Sequence, residues 1–279
     1  DNMLTLEFND SLPKVCGIEI TPNDEATTIF LAGNSTVVDQ DREPWAAWGQ
    51  MLPNFFAGGP VVVANYAESG ETLVAFRAER RLEKIWSMAK PGDYLFIEFG
   101  HNDQKPGINH LDPFTDYKAC LKLWITEAYM RHIIPILVTS VNRRSFDSLG
   151  NIVNTLGDYP QAMREVAAEE NVPLIDLNAM SKAMFEAWGP DSSVKAFVHY
   201  AANTFPNQDT ELKDNTHFNC YGAYQLARCV VRGIMEANLP VARYILPEKM
   251  HFTPSRPDPV AQWYWPLSPA TVALPQWTR

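Results

Sequence analysis

Phe30-Leu31-Ala32-Gly33-Asn34-Ser35-Thr36 decides how this chain is read: a short apolar run stops at a glycine, and a serine follows two residues later. A run of that length, rich in branched and aromatic residues, predicts a strand buried on both faces. The glycine permits a tight turn, and the segment beyond it predicts a helix start with free backbone N–H groups. Taken alone, a serine at such a turn is an ordinary helix cap. The other predicted strand exits give it a second meaning.

Working outward from Thr28 to Ala32, four further runs read as buried strands: Val61 to Asn65, Tyr94 to Phe99, Ile134 to Thr139 and Pro173 to Leu177. Helical periodicity lies between them. Tyr117, Leu121, Trp124, Ile125 and Ala128 share one face, at offsets of four, seven, eight and eleven. Further helices are predicted from Thr72 to Met88, from Tyr159 to Glu170, and after Asn219 through Ile234. Strands alternating with helices imply right-handed crossovers and a parallel sheet covered on both faces. In such folds the working residues gather outside the carboxyl ends of the strands. Ser35, Gly70 and Asn102 each follow one of the first three predicted strands, so all three leave the sheet at one edge.

Asp214 and His217 stand three residues apart, just ahead of the last predicted helix. A serine hydroxyl is a weak nucleophile until a histidine accepts its proton, and a carboxylate must hold that imidazole in the productive tautomer. The spacing lets Asp214 fold back to one ring nitrogen while the other faces Ser35. Gly70, otherwise a loop glycine, offers a backbone N–H to a developing oxyanion, and Asn102, otherwise a turn residue, offers its side-chain amide. Asp103 reads as structural, satisfying nearby loop N–H groups. Together these segments point to a serine hydrolase.

With 279 residues, 46% hydrophobic and 20% charged, the chain has an ordinary globular composition. Its net charge of −10 argues against nucleic-acid binding, which needs a basic face. No apolar run approaches a membrane span, so no membrane partner is expected. The four cysteines, Cys16, Cys120, Cys220 and Cys229, lack CxxC spacing, and no metal site is expected. On one helix, Cys220 and Cys229 would stand about 13 Å apart, too far to pair. All four read as small buried residues.

Two flanks fall outside the alternation. Residues 1–26 contain Leu4-Thr5-Leu6-Glu7-Phe8 and Val15-Cys16-Gly17-Ile18-Glu19-Ile20, which read as two strands, either the remnant of a preceding β-domain or edge strands on this one. Asp1-Asn2-Met3 shows no signal peptide, as expected of a mature or trimmed product. Residues 27–240 read as the hydrolase domain. Residues 241–279 form a proline- and aromatic-rich tail with Trp263, Tyr264, Trp265 and Trp277, expected to wrap the core, the alternative being an aromatic surface presented to sugar rings.

Gly33-Asn34-Ser35, Gly70, Gly100-His101-Asn102-Asp103 and Asp214-Asn215-Thr216-His217 resemble the four blocks of the SGNH (GDSL-type) hydrolase superfamily. Within it, Phe30 to Thr36 and Phe99 to Asp103 are similar to the rhamnogalacturonan acetylesterases of carbohydrate esterase family 12. Arg143-Arg144-Ser145-Phe146 and Pro173-Leu174-Ile175-Asp176-Leu177 are similar to them too. The similarity spans about residues 27–238.

This resemblance implies a three-layer αβα fold on a five-stranded, parallel, flavodoxin-like sheet. It implies Ser35 as nucleophile, His217 as general base and then acid, and Asp214 as its orienter. The implied oxyanion hole is the N–H of Ser35, the N–H of Gly70 and the side chain of Asn102. Removal of acetyl groups from acetylated pectic polysaccharide or oligosaccharide, without a cofactor, is the implied activity, and a periplasmic or secreted location follows from that substrate. Lys105, Arg143, Arg144 and Trp188 are the expected sugar-binding residues, from their positions. Two other readings stand beside this one: an acetylxylan or small-acyl esterase with the same triad, and a non-catalytic carbohydrate-binding module on an esterase fold. Two positions depart from the family pattern. Asn34 stands where the first block usually carries aspartate, and Glu71 follows Gly70 where related enzymes often carry a basic residue.

Overall fold

Both faces of the central sheet are covered, which is why its strands read as unbroken apolar runs. The computed structural model describes Leu6 and residues 14–264. Five strands, β1 (Thr27–Gly33), β2 (Val61–Asn65), β3 (Tyr94–Glu98), β4 (Ile134–Val138) and β5 (Leu174–Ile175), lie in the order β2-β1-β3-β4-β5. Every neighbouring pair is parallel. Successive side chains on a strand point to opposite faces. Ile29 and Leu31 of β1 accordingly join one hydrophobic core, while Phe30 and Ala32 join the other.

Helices fill both layers. The first core is closed by α1 (Trp48–Met51), by α6 (Leu177–Ser193) and by α7 (Cys220–Glu236). The second is closed by α2 (Leu73–Ala78), α3 (Arg81–Met88), α4 (Lys118–Tyr129) and α5 (Tyr159–Glu169). Side chains before the helices accept from their orphan N–H groups. Thr72 caps α2 through Ala75 N–H, Asp176 caps α6 through Ala179 N–H, and Asn219 caps α7 through Gly222 N–H.

The structure departs from several expectations. The helix expected from Thr72 to Met88 is two helices, separated at Arg80 by a left-handed backbone (φ 61°). That break turns Arg81 toward Glu68 and Glu79. Residues 15–20 form no strand and lie exposed, whereas Leu4 to Phe8, apart from exposed Leu6, lies outside the described residues. Asp214 and His217, ahead of the last helix, sit on a strand that the sequence pattern does not predict: β6 (Phe197–Tyr200) and β7 (Leu212–Phe218) form an antiparallel two-stranded sheet. A bridge between Ala46 and Phe218 docks it onto the body. Cys16 is exposed and Cys120 and Cys220 are half-buried, so only Cys229 is the buried residue expected of all four. Trp263 of the tail packs on Tyr221 and Tyr224 of α7, while Trp265 and Trp277 lie outside the described residues.

Candidate active site

The strand order reverses between β1 and β3, and ligands of open α/β sheets bind outside the carboxyl ends of the strands at such a point. A cleft of about 620 Å³ opens there. Ser35 after β1, Gly70 after β2, Asn102 and Lys105 after β3, Arg143 after β4, and Asp214 and His217 from β7 all line it.

His217 Nε2 lies 2.8 Å from Ser35 Oγ, and His217 Nδ1 lies 2.7 Å from Asp214 Oδ2. The other carboxylate oxygen of Asp214 accepts from the Thr216 and His217 N–H groups at 2.8 and 3.0 Å. Burial pushes the Asp214 carboxyl up. The hydrogen bonds from the His217 ring and the two N–H groups outweigh it, and the pKa falls to about 2. Asp214 is therefore an anion that fixes one imidazole nitrogen as the donor, leaving the other to accept the serine proton.

Asn102 is held at both ends of its amide. Its Nδ2 donates to the Glu71 carbonyl at 2.9 Å, and its Oδ1 accepts from Lys105 Nζ at 2.6 Å. One N–H of that amide stays free of the Glu71 bond. Gly70 holds φ at +87°, a conformation that L side chains rarely adopt. Asp103 is fully buried and accepts from the Leu73 and Gly100 N–H groups at 2.9 and 2.7 Å. Burial pushes its carboxyl up to about 6, against the pull of those N–H groups.

Asn34 is buried, and its Oδ1 accepts from both the N–H and the hydroxyl of Thr36 at 3.0 Å. Glu71 turns away from the cleft and is buried, with Arg81 Nε at 3.6 Å. Burial and the neighbouring Glu79 raise its carboxyl to about 7 despite that arginine.

Two expected sugar contacts are not in the cleft. Arg144 binds Ser193 Oγ at 3.1 Å and Asn215 Oδ1 at 3.2 Å, tying β7 to the end of α6. Trp188 stacks on Phe185 and packs against Tyr221, beside a separate cavity. Arg143 does line the cleft, with its guanidinium on the Thr155 and His101 carbonyls at 3.0 and 3.3 Å. Sequence reasoning missed Arg42 and Trp45, which also line it. The exposed Arg42 guanidinium stands 5.7 Å from the centre of the Trp45 ring and has no ion pair among the described residues. These residues follow Ser35 in a stretch without periodic pattern, so only an Arg–Trp pair close after the nucleophile turn could have signalled them.

The model of the GDSL-like lipase/acylhydrolase family matches residues 31–222. The chain is 42% identical over 220 residues to the rhamnogalacturonan acetylesterase RhgT of Bacillus subtilis (strain 168), which covers 78% of this chain and 94% of that one. It is 36% identical over 228 residues to the probable rhamnogalacturonan acetylesterase YesY of the same organism, covering 80% and 100%. The solved structure of YXIM from Bacillus subtilis superposes with a TM-score of 0.67 at 29% identity, over 77% of this chain and 58% of that one. Axe2, an acetylxylan esterase from Geobacillus stearothermophilus, superposes with a TM-score of 0.52 at 18% identity, over 75% and 95%, a likeness of fold.

Proposed function

The chain belongs to the GDSL-like lipase/acylhydrolase family, and from that premise we propose that it is a serine esterase removing O-acetyl groups from the rhamnogalacturonan backbone of pectin. The observation that carries this reading is the continuous line Asp214 Oδ2, His217 Nδ1, His217 Nε2, Ser35 Oγ, with hydrogen-bond distances at both junctions, inside an open cleft.

Ser35 Oγ attacks the acetyl carbonyl while His217 Nε2 takes its proton. The tetrahedral oxygen is received by the N–H of Ser35, the N–H of Gly70 and the free N–H of Asn102, whose amide is already oriented by Glu71 and Lys105. His217 then returns the proton to the departing sugar oxygen. Water repeats the sequence on the acetyl-serine and releases acetate. The arrangement calls for no cofactor.

Arg42, Lys105 and Arg143 outnumber the carboxylates Asp41 and Asp214 around the cleft, in a chain of net charge −10, which supports an acidic sugar over neutral xylan. A periplasmic or secreted location belongs to the same proposal, because the polymer lies outside cells. The deciding experiment is acetate release from acetylated rhamnogalacturonan and acetylated xylan by wild type and Ser35→Ala. Release from pectin should exceed release from xylan, and the alanine variant should lose about 10³-fold or more in kcat while remaining folded. Near-normal turnover by Ser35→Ala, or release from xylan alone, refutes the reading.

A further inference from the structure

The groups beneath the Ser35 turn make more contacts than their hydrogens allow if every carboxyl there is ionised. Asn34 Oδ1 accepts from Thr36 N–H at 3.0 Å, which fixes which end of the amide faces Thr36. The Thr36 hydroxyl lies 3.0 Å from that same Oδ1, and also 3.0 and 3.2 Å from the two carboxyl oxygens of Glu98, the last residue of β3. A hydroxyl carries one hydrogen, and an amide oxygen can only accept. If Thr36 donates to Asn34, the Glu98 contact needs a hydrogen on Glu98. If Glu98 is ionised, Thr36 must donate to it, and two oxygens then face each other at Asn34 with nothing between them.

Glu98 is 1% exposed. Its other partners are donors, the Trp48 indole at 2.7 Å and the Val141 N–H at 3.4 Å. Among the described residues no lysine or arginine pairs with it. His101 Nδ1 stands 3.8 Å away, but burial, aided by nearby Arg143, lowers that imidazole to about 3 and leaves it neutral. The buried Tyr117 hydroxyl on the α4 side is spent on the Phe99 carbonyl at 2.8 Å, and Asp103 beyond it brings more negative charge. Burial raises the Glu98 carboxyl to about 7, against the pull of its donors.

We propose that Glu98 is held as the neutral acid, and that its O–H heads a one-way relay, Glu98 to Thr36 to Asn34, which positions the turn presenting Ser35. The proposal rests on Ser35 being the nucleophile, as read above. Glu98 touches no substrate; it acts through the two side chains that flank Ser35 in sequence. Ionising it draws the Thr36 hydrogen away from Asn34 and frees the turn. The relay also gives Asn34 its role, since an amide oxygen accepts there without adding a second buried carboxylate.

The test joins a spectrum to kinetics. Infrared difference spectra of wild type against Glu98→Gln should show the carbonyl band of a neutral carboxylic acid on the acid side of neutrality, fading as pH rises. The glutamine keeps a donor for Thr36 and an acceptor for Trp48, losing only the long Val141 contact. Its kcat on an acetyl ester should therefore stay within about threefold of wild type on the acid side. On the alkaline side wild type should fall about tenfold below its maximum, and the glutamine variant should not. Thr36→Val should lower kcat about tenfold on the acid side with KM unchanged, and match wild type on the alkaline side, where the relay is already broken.

Absence of the acid band overturns the proposal. So does a hundredfold loss in folded Glu98→Gln on the acid side, or an identical pH profile in both proteins. Should Glu98→Gln fail to fold, the band is read in wild type against Thr36→Val, where loss of the hydroxyl acceptor shifts it; no shift overturns the proposal. Wild type inactive on every acetyl ester would refute the esterase reading while the infrared result stood.

Discussion

Replacing Asp214 by asparagine changes one atom and should cost nearly all the activity. One carboxylate oxygen accepts from two backbone N–H groups, and the other from His217 Nδ1. In Asp214→Asn the amide oxygen keeps the two backbone donors, because turning the amide would set its NH₂ against both. The NH₂ then faces His217 Nδ1 and makes it the acceptor. The ring proton moves to Nε2, which points at Ser35 Oγ as a donor and cannot take its hydrogen. A tautomer inverted in this way is worth about 10⁴-fold in kcat. The substitution also removes an anion. The drop of the Asp214 pKa from 3.8 to about 2 corresponds to about 2 kcal/mol of stability, lessened by solvent screening because the side chain is 29% exposed. That stabilisation is present above pH 3.8 and is lost as pH falls through about 2. Acetate release measures the first effect, and the rate of Ser35 labelling by a sulfonyl fluoride should fall with it. Urea melts near neutral and at low pH measure the second. An asparagine variant within tenfold of wild-type kcat, labelled at the normal rate, would refute the assignment of Asp214 as orienter.

Glu98→Gln should melt at a higher temperature than wild type above about pH 7 and at the same temperature below pH 4.5, since a raised carboxyl loses its stabilising contribution as pH climbs between those values; calorimetry across that range decides. Arg42→Gln should raise KM for acetylated rhamnogalacturonan about tenfold without changing turnover of a neutral acetyl ester, as expected on losing one charge-assisted contact. Arg144→Ala should leave KM unchanged and lower the melting temperature, because its guanidinium ties β7 to α6. Gly100→Ala should destabilise by about 1–3 kcal/mol in urea melts, since φ is +134° and the new Cβ would meet Ser140 Oγ at 2.6 Å; a wild-type melt would contradict that.

The central sheet was legible because burial on both faces leaves little room for polar residues in β1, β3 and β4. β5 is shorter than expected because Asp176 leaves the strand to cap α6. The polar strand β7, Leu-Lys-Asp-Asn-Thr-His-Phe, was not legible: it is half-exposed, and its pairing partner β6 has only four residues. α6 was missed as well, for it carries Gly189-Pro190 and a weakly segregated apolar face. The break at Arg80 has no glycine or proline to announce it. Ser35, Gly70, Asn102, Asp214 and His217 were placed from chemistry and order along the chain, and the structure brings all five to one cleft. Arg144 went astray because the chain bends there, with Ser145 N–H on the Arg143 carbonyl at 2.9 Å, so Arg143 lines the cleft while Arg144 reaches Ser193 and Asn215. Glu98 carried a signal that went unread: a charged residue closing an otherwise apolar strand.

Ser35 and its donors belong to the parallel sheet, whereas acid and base arrive together on the small ribbon of β6 and β7. The Ser35–His217 junction spans 182 positions of the chain. During folding that junction can close only after the ribbon has settled, so hydrolytic competence is acquired late and in one event. The same ribbon lifting off a little would silence the enzyme while leaving its sheet intact, which makes inactivation a more sensitive gauge of early unfolding than any signal from the core.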